Sequence, residues 1–413
     1  MKRVTLCLSL LSICNFSLYA QETVVAASGS SIAIASNGSM YVSGGMVLAD
    51  NSQLTNDGIV TLDKTVTAKA DFTDHTTTAY NYGIGKFVFS GFGTQNILSA
   101  NRFNQIEVNN NGLDLLSDIQ SNNWNLKTGL INTNNFYAIA ISTNASAVQA
   151  DVLNDGFTKS WINGNLRRYI DPVKVNNYLF PVGDAIKLNM AEMNDLSANP
   201  LKGVQYINAS FGYKPGNDRG LNINQYNKTC VAINNSGVWH LVTDAVPAYG
   251  NYNLKLYLNG FTGLGNGEYN ILQRPDASAS AAEWMLPVGN NVQFAGTTDR
   301  YISKNNIAVF GQFGIGIITT VAPVAGYTET KNETALKVYP NPVINNEFYV
   351  QYIGTKVNSL TLVASDGKIV ACNFNLQKAD QLKVTLPVFL AKGIYTLRLN
   401  TNTGLQSTLI NLQ

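Results

Sequence analysis

His75 and His240 are the only histidines in 413 residues, and that scarcity sets the first limit on chemistry. A serine–histidine–acid site needs an imidazole held by a carboxylate beside an activated hydroxyl. His240 stands between Trp239 and Leu241 and reads as a strand residue packed beside aromatics; His75 follows Asp74 in a polar stretch and reads as a loop residue. The chain has no Gly-x-Ser-x-Gly elbow. Zinc asks for three or four His, Cys or carboxylate ligands at close spacing, and none cluster in the sequence. Gly83-Ile84-Gly85, Gly91-Phe92-Gly93 and Gly263-Leu264-Gly265-Asn266-Gly267 open no helix after a strand, so they read as turns or bulges and not as phosphate cradles. Asn56-Asp57-Gly58 and Gly216-Asn217-Asp218-Arg219-Gly220 offer oxygen ligands but fall short of the carboxylate count of a calcium loop. No catalytic residue, metal or cofactor is expected.

Two carbohydrate chemistries stay open. Paired carboxylates for polysaccharide cleavage could come from Asp50, Asp57, Asp63, Asp71 and Asp74, if two of them converge. Trp161, Trp239 and Trp284 could stack on sugars, although tryptophan in a sandwich belongs more often to the core.

The elements that would position such groups are strands. Only 13% of residues are charged, and asparagine is about one residue in eight, a composition suited to sheet surfaces and turns. A net charge of +2 leaves no electrostatic footprint for a nucleic acid. Met1–Ala20 reads as a secretory signal peptide: Lys2-Arg3, an apolar run from Val4 to Leu18, then Tyr19-Ala20 before Gln21. Ile13 is too bulky for Cys14 to read as a lipidation site, so ordinary cleavage is expected. No later run approaches twenty apolar residues, so no transmembrane segment is expected in the mature chain. Cys230 and Cys372 fall in different domains and are not expected to pair.

Residues 21–150 repeat short apolar pairs between Asn, Asp and Gly: Ile32 and Ile34, Asn37-Gly38, Met40 and Val42, Gly44-Gly45, and so on to Phe136–Ile141. Units of one short strand and a turn bury a core only by stacking, which is the logic of a solenoid. A right-handed parallel β-solenoid is the first reading and an irregular β-sandwich the second. Asp71–Phe92, dense in threonine and aromatics, breaks the rhythm and reads as an excursion or inserted hairpin. Residues 155–320 carry strand signals at near-regular spacing and read as a β-sandwich domain. Residues 321–334 read as a linker.

Residues 335–413 open with Tyr339-Pro340-Asn341-Pro342-Val343, a stiff extended entry because each proline fixes its own φ and restricts the residue before it. Period-two runs follow: Phe348, Val350 and Tyr352; Leu360, Leu362 and Ala364; a strand over Ile369–Phe374; Leu382–Leu386; and Tyr395, Leu397 and Leu399. Asp366-Gly367 between two runs predicts a hairpin turn. An Ig-like β-sandwich is expected. Taken in order, Tyr339 to Val343, Asp366-Gly367-Lys368 and Gly393-Ile394-Tyr395-Thr396-Leu397 resemble the type A C-terminal sorting domain of type IX secretion cargo in Bacteroidetes-type bacteria. The resemblance covers about a fifth of the chain. It implies a partner, the type IX secretion machinery, which carries the chain across the outer membrane to the cell surface. Family members commonly finish on a basic, valine-rich strand, whereas this chain closes with Ser407-Thr408-Leu409-Ile410-Asn411-Leu412-Gln413. The expected passenger is a non-enzymatic protein of adhesion, display or envelope structure, with a glycan or cell-surface ligand. The alternative is a polysaccharide-active enzyme or a carbohydrate-binding module.

Overall fold

A computed structural model describes residues 17–20, 23–64, 70–150, 156–171, 173–174, 176–195, 201–212, 219–225, 228–262, 264, 269–287, 291–295, 300–320, 336–352, 356–364, 369–378, 380–387, 390–402 and 404–413. These residues form strands, with short 3-10 turns such as Ala145–Ala147 and Ala281–Glu283 between some of them. The chain divides into two compact units, Met1–Ala322 and Pro323–Gln413. The expected linker and the greater part of the expected signal peptide lie outside the described residues.

The first unit begins as a parallel β-solenoid of three strand columns. One column stacks Ser17–Ala20, Ser39–Val42, Ile59–Lys64 and Lys86–Gly91, then runs into Arg102–Leu115 and Ile119–Ala140. A second stacks Val24–Ala26, Met46–Leu48, Phe72–Asp74 and Gln95–Leu98, again running into Arg102–Leu115. The third begins with Ser31–Ile34 on Gln53–Asn56. The register gives the coil lengths. Ser39 faces Ile59, twenty residues on, Ile59 faces Lys86, twenty-seven on, and Arg102 faces Gln120, eighteen on. Unequal coils explain why no single period can be read from the sequence.

Alternate residues of each strand point inward, and inward residues of successive coils stack into apolar ladders. Met40, Val60, Phe87, Ile106 and Trp124 form one ladder; Val42, Leu62, Phe89, Val108 and Leu126 form the next. Asparagine amides stitch coil to coil. Asn132 Nδ2 donates to Asp114 Oδ1 (2.6 Å), and Asn163 Nδ2 donates to Asn132 Oδ1 (2.9 Å). Coils approach closely enough to require glycine in places: a Cβ on Gly85 would lie 2.3 Å from the Gly58 carbonyl oxygen.

Asp71–Phe92 is not an inserted hairpin. Phe72 pairs in parallel with Met46 and Ile97, and Phe87 with Val60 and Ile106, so the stretch supplies ordinary rungs to two columns. The rhythm breaks in the sequence because the coil is longer and its interior is filled by rings. Phe72, Tyr82, Phe87 and Phe103 pack mostly edge to face, with centroids 4.6–5.7 Å apart. The buried Tyr82 hydroxyl is satisfied by Asp74 and by Ser99.

Ile162–Tyr169 joins the solenoid to a sandwich. It pairs in parallel with Ile131–Ala140 on one edge and antiparallel with Tyr206–Gly212 on the other. The sheet continues through Val238–Thr243 to Gly311–Thr320 and its further neighbours. A five-stranded sheet, in the order Asn177–Phe180, Ala191–Asp195, Tyr252–Tyr257, Arg300–Ile307 and Asn291–Ala295, shares a core with it around Phe180, Met193, Trp239 and Leu254. Arg168 is fully buried at this joint. Its Nη1 donates to the Leu179 carbonyl (2.6 Å), and its Nη2 donates to the carbonyls of Asn144 (3.0 Å) and Ala145. Burial lowers its pKa to about 10.

The second unit is a sandwich of two four-stranded antiparallel sheets. One runs Lys337–Tyr339, Glu347–Gln351, Gln381–Thr385, Asn373–Lys378; the other runs Ile369–Ala371, Val357–Ala364, Gly393–Thr401, Gly404–Leu412. The residues that alternate in the sequence are those that meet inside: Phe348, Val350, Leu360, Leu362, Leu382, Val384, Leu397 and Leu399. The single strand expected over Ile369–Phe374 is instead two strands in different sheets, with buried Cys372 between them.

Candidate functional site

The entry motif of the second unit is held by the strand that ends the chain. Lys337–Tyr339 forms a sheet edge against Glu347–Gln351, and the next residues pass to the other sheet through cis peptides at Tyr339-Pro340 and Asn341-Pro342. There the Asn341 side chain takes the place of a strand neighbour. Its Oδ1 accepts from the Asn411 amide (2.9 Å), and its Nδ2 donates to the Leu409 carbonyl (3.1 Å). Main-chain bonds continue the seam: Val343 N donates to Asn411 O (2.7 Å), and Gln413 N donates to Val343 O (3.0 Å). Val343 is buried beneath it, while Pro340 and Pro342 are exposed. Prolines cannot donate to a ladder, so this edge lacks donors where they stand, and the asparagine amide supplies one.

Tyr339 is exposed, stacks on Tyr349 (5.9 Å between centroids) and accepts a hydrogen bond from the Gln381 side chain. Gly393, at φ 147°, opens the strand Gly393–Thr401; the Ile394 side chain faces solvent and that of Tyr395 is buried, with its hydroxyl donating to the Ala391 carbonyl (2.8 Å). Asp366, Gly367 and Lys368 lie outside the described residues. The strands on either side of them pair antiparallel, with Val363 opposite Ile369. Tyr339–Val343 and Gly393–Tyr395 thus meet the same terminal strand, Gly404–Leu412, from two sides.

The carbohydrate candidates of the first unit are taken up by its hydrogen bonds and its core. Asp74 is buried and accepts from Tyr82, Asn101 and the Thr76 amide. Asp71 accepts from Asn96, Asp57 from the Ile84 amide, Asp63 from Tyr41, and Asp50 from Asn51 and Thr77. Each is engaged in hydrogen bonds within its own turn or to a neighbouring coil. The tryptophans are core residues: Trp239 lies flat against Phe261 and donates to the Asn189 carbonyl (2.7 Å), Trp161 donates to Asp184 O (2.8 Å), and Trp284 is covered by Arg274.

Three polar clusters escaped sequence reasoning because their members are distant in the chain. His240 Nδ1 lies 2.6 Å from Asp276 Oδ1, and Ser210 faces His240 on the adjacent strand. Arg167 lies between the rings of Tyr137 and Tyr206, 4.5 Å from each centroid. On the solenoid, Glu107 sits between Lys86 and Lys127, each 3.1 Å away. Burial opposes its charge, but the hydrogen bonds from Lys127 and Lys86 outweigh that, and its carboxyl titrates below the usual range. Among the described residues, no three His, Cys, Asp or Glu side chains come together as a metal site.

Residues 337–411 match the family model of the secretion system C-terminal sorting domain. The match covers nearly all of the second unit's described residues and none of the first. Searches of curated proteins and of solved structures return no match for the chain.

Proposed function

We propose that this chain, which closes in the C-terminal sorting domain of type IX secretion cargo, is made with a cleavable leader ending at Ala20 and delivers residues 21–320 to the cell surface as a non-enzymatic passenger for adhesion, display or envelope structure. The match at 337–411 carries the export reading. The clamp by which Asn341 holds the terminal strand supports it, since it makes the entry motif and the chain's end a single folded surface. The passenger reading is supported by the hydrogen bonds that hold the five aspartates within the solenoid and by the burial of the tryptophans. Among the described residues, no helix is long and apolar enough to cross a membrane.

Deleting residues 335–413 is expected to trap the passenger in the periplasm, read by fractionation and by protease treatment of intact cells. Surface delivery of the truncated chain would refute the sorting role. For the passenger, turnover on a panel of glycans that is lost on Asp→Asn substitution among Asp50–Asp74 would refute the non-enzymatic reading.

A further inference from the structure

All three columns of the solenoid begin in the same coil, and the expected leader supplies that coil's rung in the first column. Ser17–Ala20 lies parallel on Ser39–Val42, with Ser17 opposite Ser39, Leu18 opposite Met40, Tyr19 opposite Tyr41 and Ala20 opposite Val42. The second and third columns begin with Val24–Ala26 and Ser31–Ile34. The first rung is therefore made from the last four residues of the leader, and a cut after Ala20 removes it.

What remains is an edge without the usual defences. Sheet edges are kept from pairing by lysine, proline, bulges or a covering element. Ser39-Met40-Tyr41-Val42 carries neither charge nor proline and pairs with Ile59–Lys64 in unbroken register. Among the described residues, only Ser17–Ala20 lies along its other side. The far end of the solenoid differs, because Ile162–Tyr169 passes its outer edge to the antiparallel strand Tyr206–Gly212. Beneath the exposed rung, Met40 and Val42 point into the core.

We infer that the exported chain carries a strand-accepting site along Ser39–Val42, and that its occupant is an extended peptide segment of another protein, entering parallel where Ser17–Ala20 lies. Strand addition draws its affinity from main-chain hydrogen bonds and tolerates varied side chains, so a strand seated in full register reports the geometry the edge accepts. Four residues of matched register, together with the parallel direction, favour a short extended segment over a second copy of the solenoid. The inference rests on the reading of Met1–Ala20 as a cleaved leader.

The test uses the chain from Gln21 to Gln413 and a labelled peptide with the sequence of residues 15–20, Asn-Phe-Ser-Leu-Tyr-Ala. Saturable binding by fluorescence anisotropy is expected, with hydrogen-exchange protection gained at residues 39–42. A peptide carrying Leu18→Pro should bind at least about tenfold more weakly, because proline cannot donate to the ladder. The full chain made uncleavable by Gln21→Pro, just beyond the strand, should not bind, since its own strand holds the edge. Absence of saturable binding, or equal binding of the proline peptide, overturns the inference. So does a Gln21–Gln413 dimer that the peptide does not dissociate, which would assign the edge to a second copy. Amino-terminal sequencing of the exported protein separates the premises: a terminus before Ser17 refutes the leader reading and the inference with it, while a terminus at Gln21 without peptide binding refutes the inference alone.

Discussion

Asn341→Asp is the most discriminating perturbation of the terminal clamp. Asn341→Ala removes both side-chain bonds to the last strand. Neutral hydrogen bonds contribute about 0.5–1.5 kcal/mol each, and this pair is solvent-exposed, so the loss should be about 1–2 kcal/mol. A domain of this size shifts its midpoint roughly 4–8 °C per kcal/mol. The aspartate substitution keeps the acceptor for the Asn411 amide but places a carboxylate oxygen against the Leu409 carbonyl, where an amide donated across 3.1 Å. At pH 7 it should therefore cost more than alanine. Protonation restores a donor to that carbonyl, so the introduced carboxyl has a folded pKa above the unfolded value of about 3.9. The folded state then binds the proton more tightly, and stability relative to Asn341→Ala rises as pH falls through the folded pKa. By pH 3 the aspartate variant should be the more stable of the two. The assay is the midpoint of the C-terminal unit by calorimetry, with hydrogen exchange at the Asn411 amide as the local readout. Equal deficits for the two variants at both pH values would refute the clamp.

Phe103→Ala, at the centre of the ring cluster, should cost the first unit about 3–5 kcal/mol in denaturant unfolding, because three rings lose their common neighbour. Gly85→Ala should destabilise the same unit by about 2–3 kcal/mol, since its Cβ would meet the backbone oxygen of Gly58 at 2.3 Å, and a shift in the urea midpoint would report it. Burial pushes the Cys372 thiol up to about 11. An unfolded thiol ionises near pH 8.5–9, so the stability this group contributes is complete below pH 9 and is lost as pH rises through 11, amounting to roughly 2–3 kcal/mol. Cys372→Ala should flatten that alkaline slope in the melting of the C-terminal unit.

Period-two alternation made the second unit readable almost strand by strand, because each strand has one face in the core and one in water. Phe348, Val350, Tyr395, Leu397 and Leu399 are buried where the alternation places them. Cys372 escaped because a chain that changes sheets keeps its apolar rhythm while exchanging partners. The solenoid was legible as a stack but not as a period, since coils of eighteen to twenty-seven residues share a register that only backbone pairing displays. Asp71–Phe92 was legible as a longer excursion but not as ordinary rungs, because large rings take the interior places of Val, Leu and Met in a lengthened coil that keeps its parallel pairing. The motif Tyr339–Val343 was visible, but the partner of Asn341 was not. Seventy residues separate it from Asn411, and nothing local marks an amide that will substitute for a strand. The pairing of His240 with Asp276 was hidden by the same distance in sequence.

The uniform stretch of the solenoid makes its height a quantity that can be changed. From Arg102 to Asp114 each residue faces one about eighteen positions later, and the inward residues Ile106 and Val108 find Trp124 and Leu126 below them. A duplicated eighteen-residue turn would meet the same ladder above and below, and would lengthen the column by one strand spacing of about 4.8 Å. A coil added there is expected to leave the pairing of Ile162–Tyr169 with its two neighbours unchanged, which hydrogen exchange at that strand would check. The height of the solenoid is in that sense counted in whole coils.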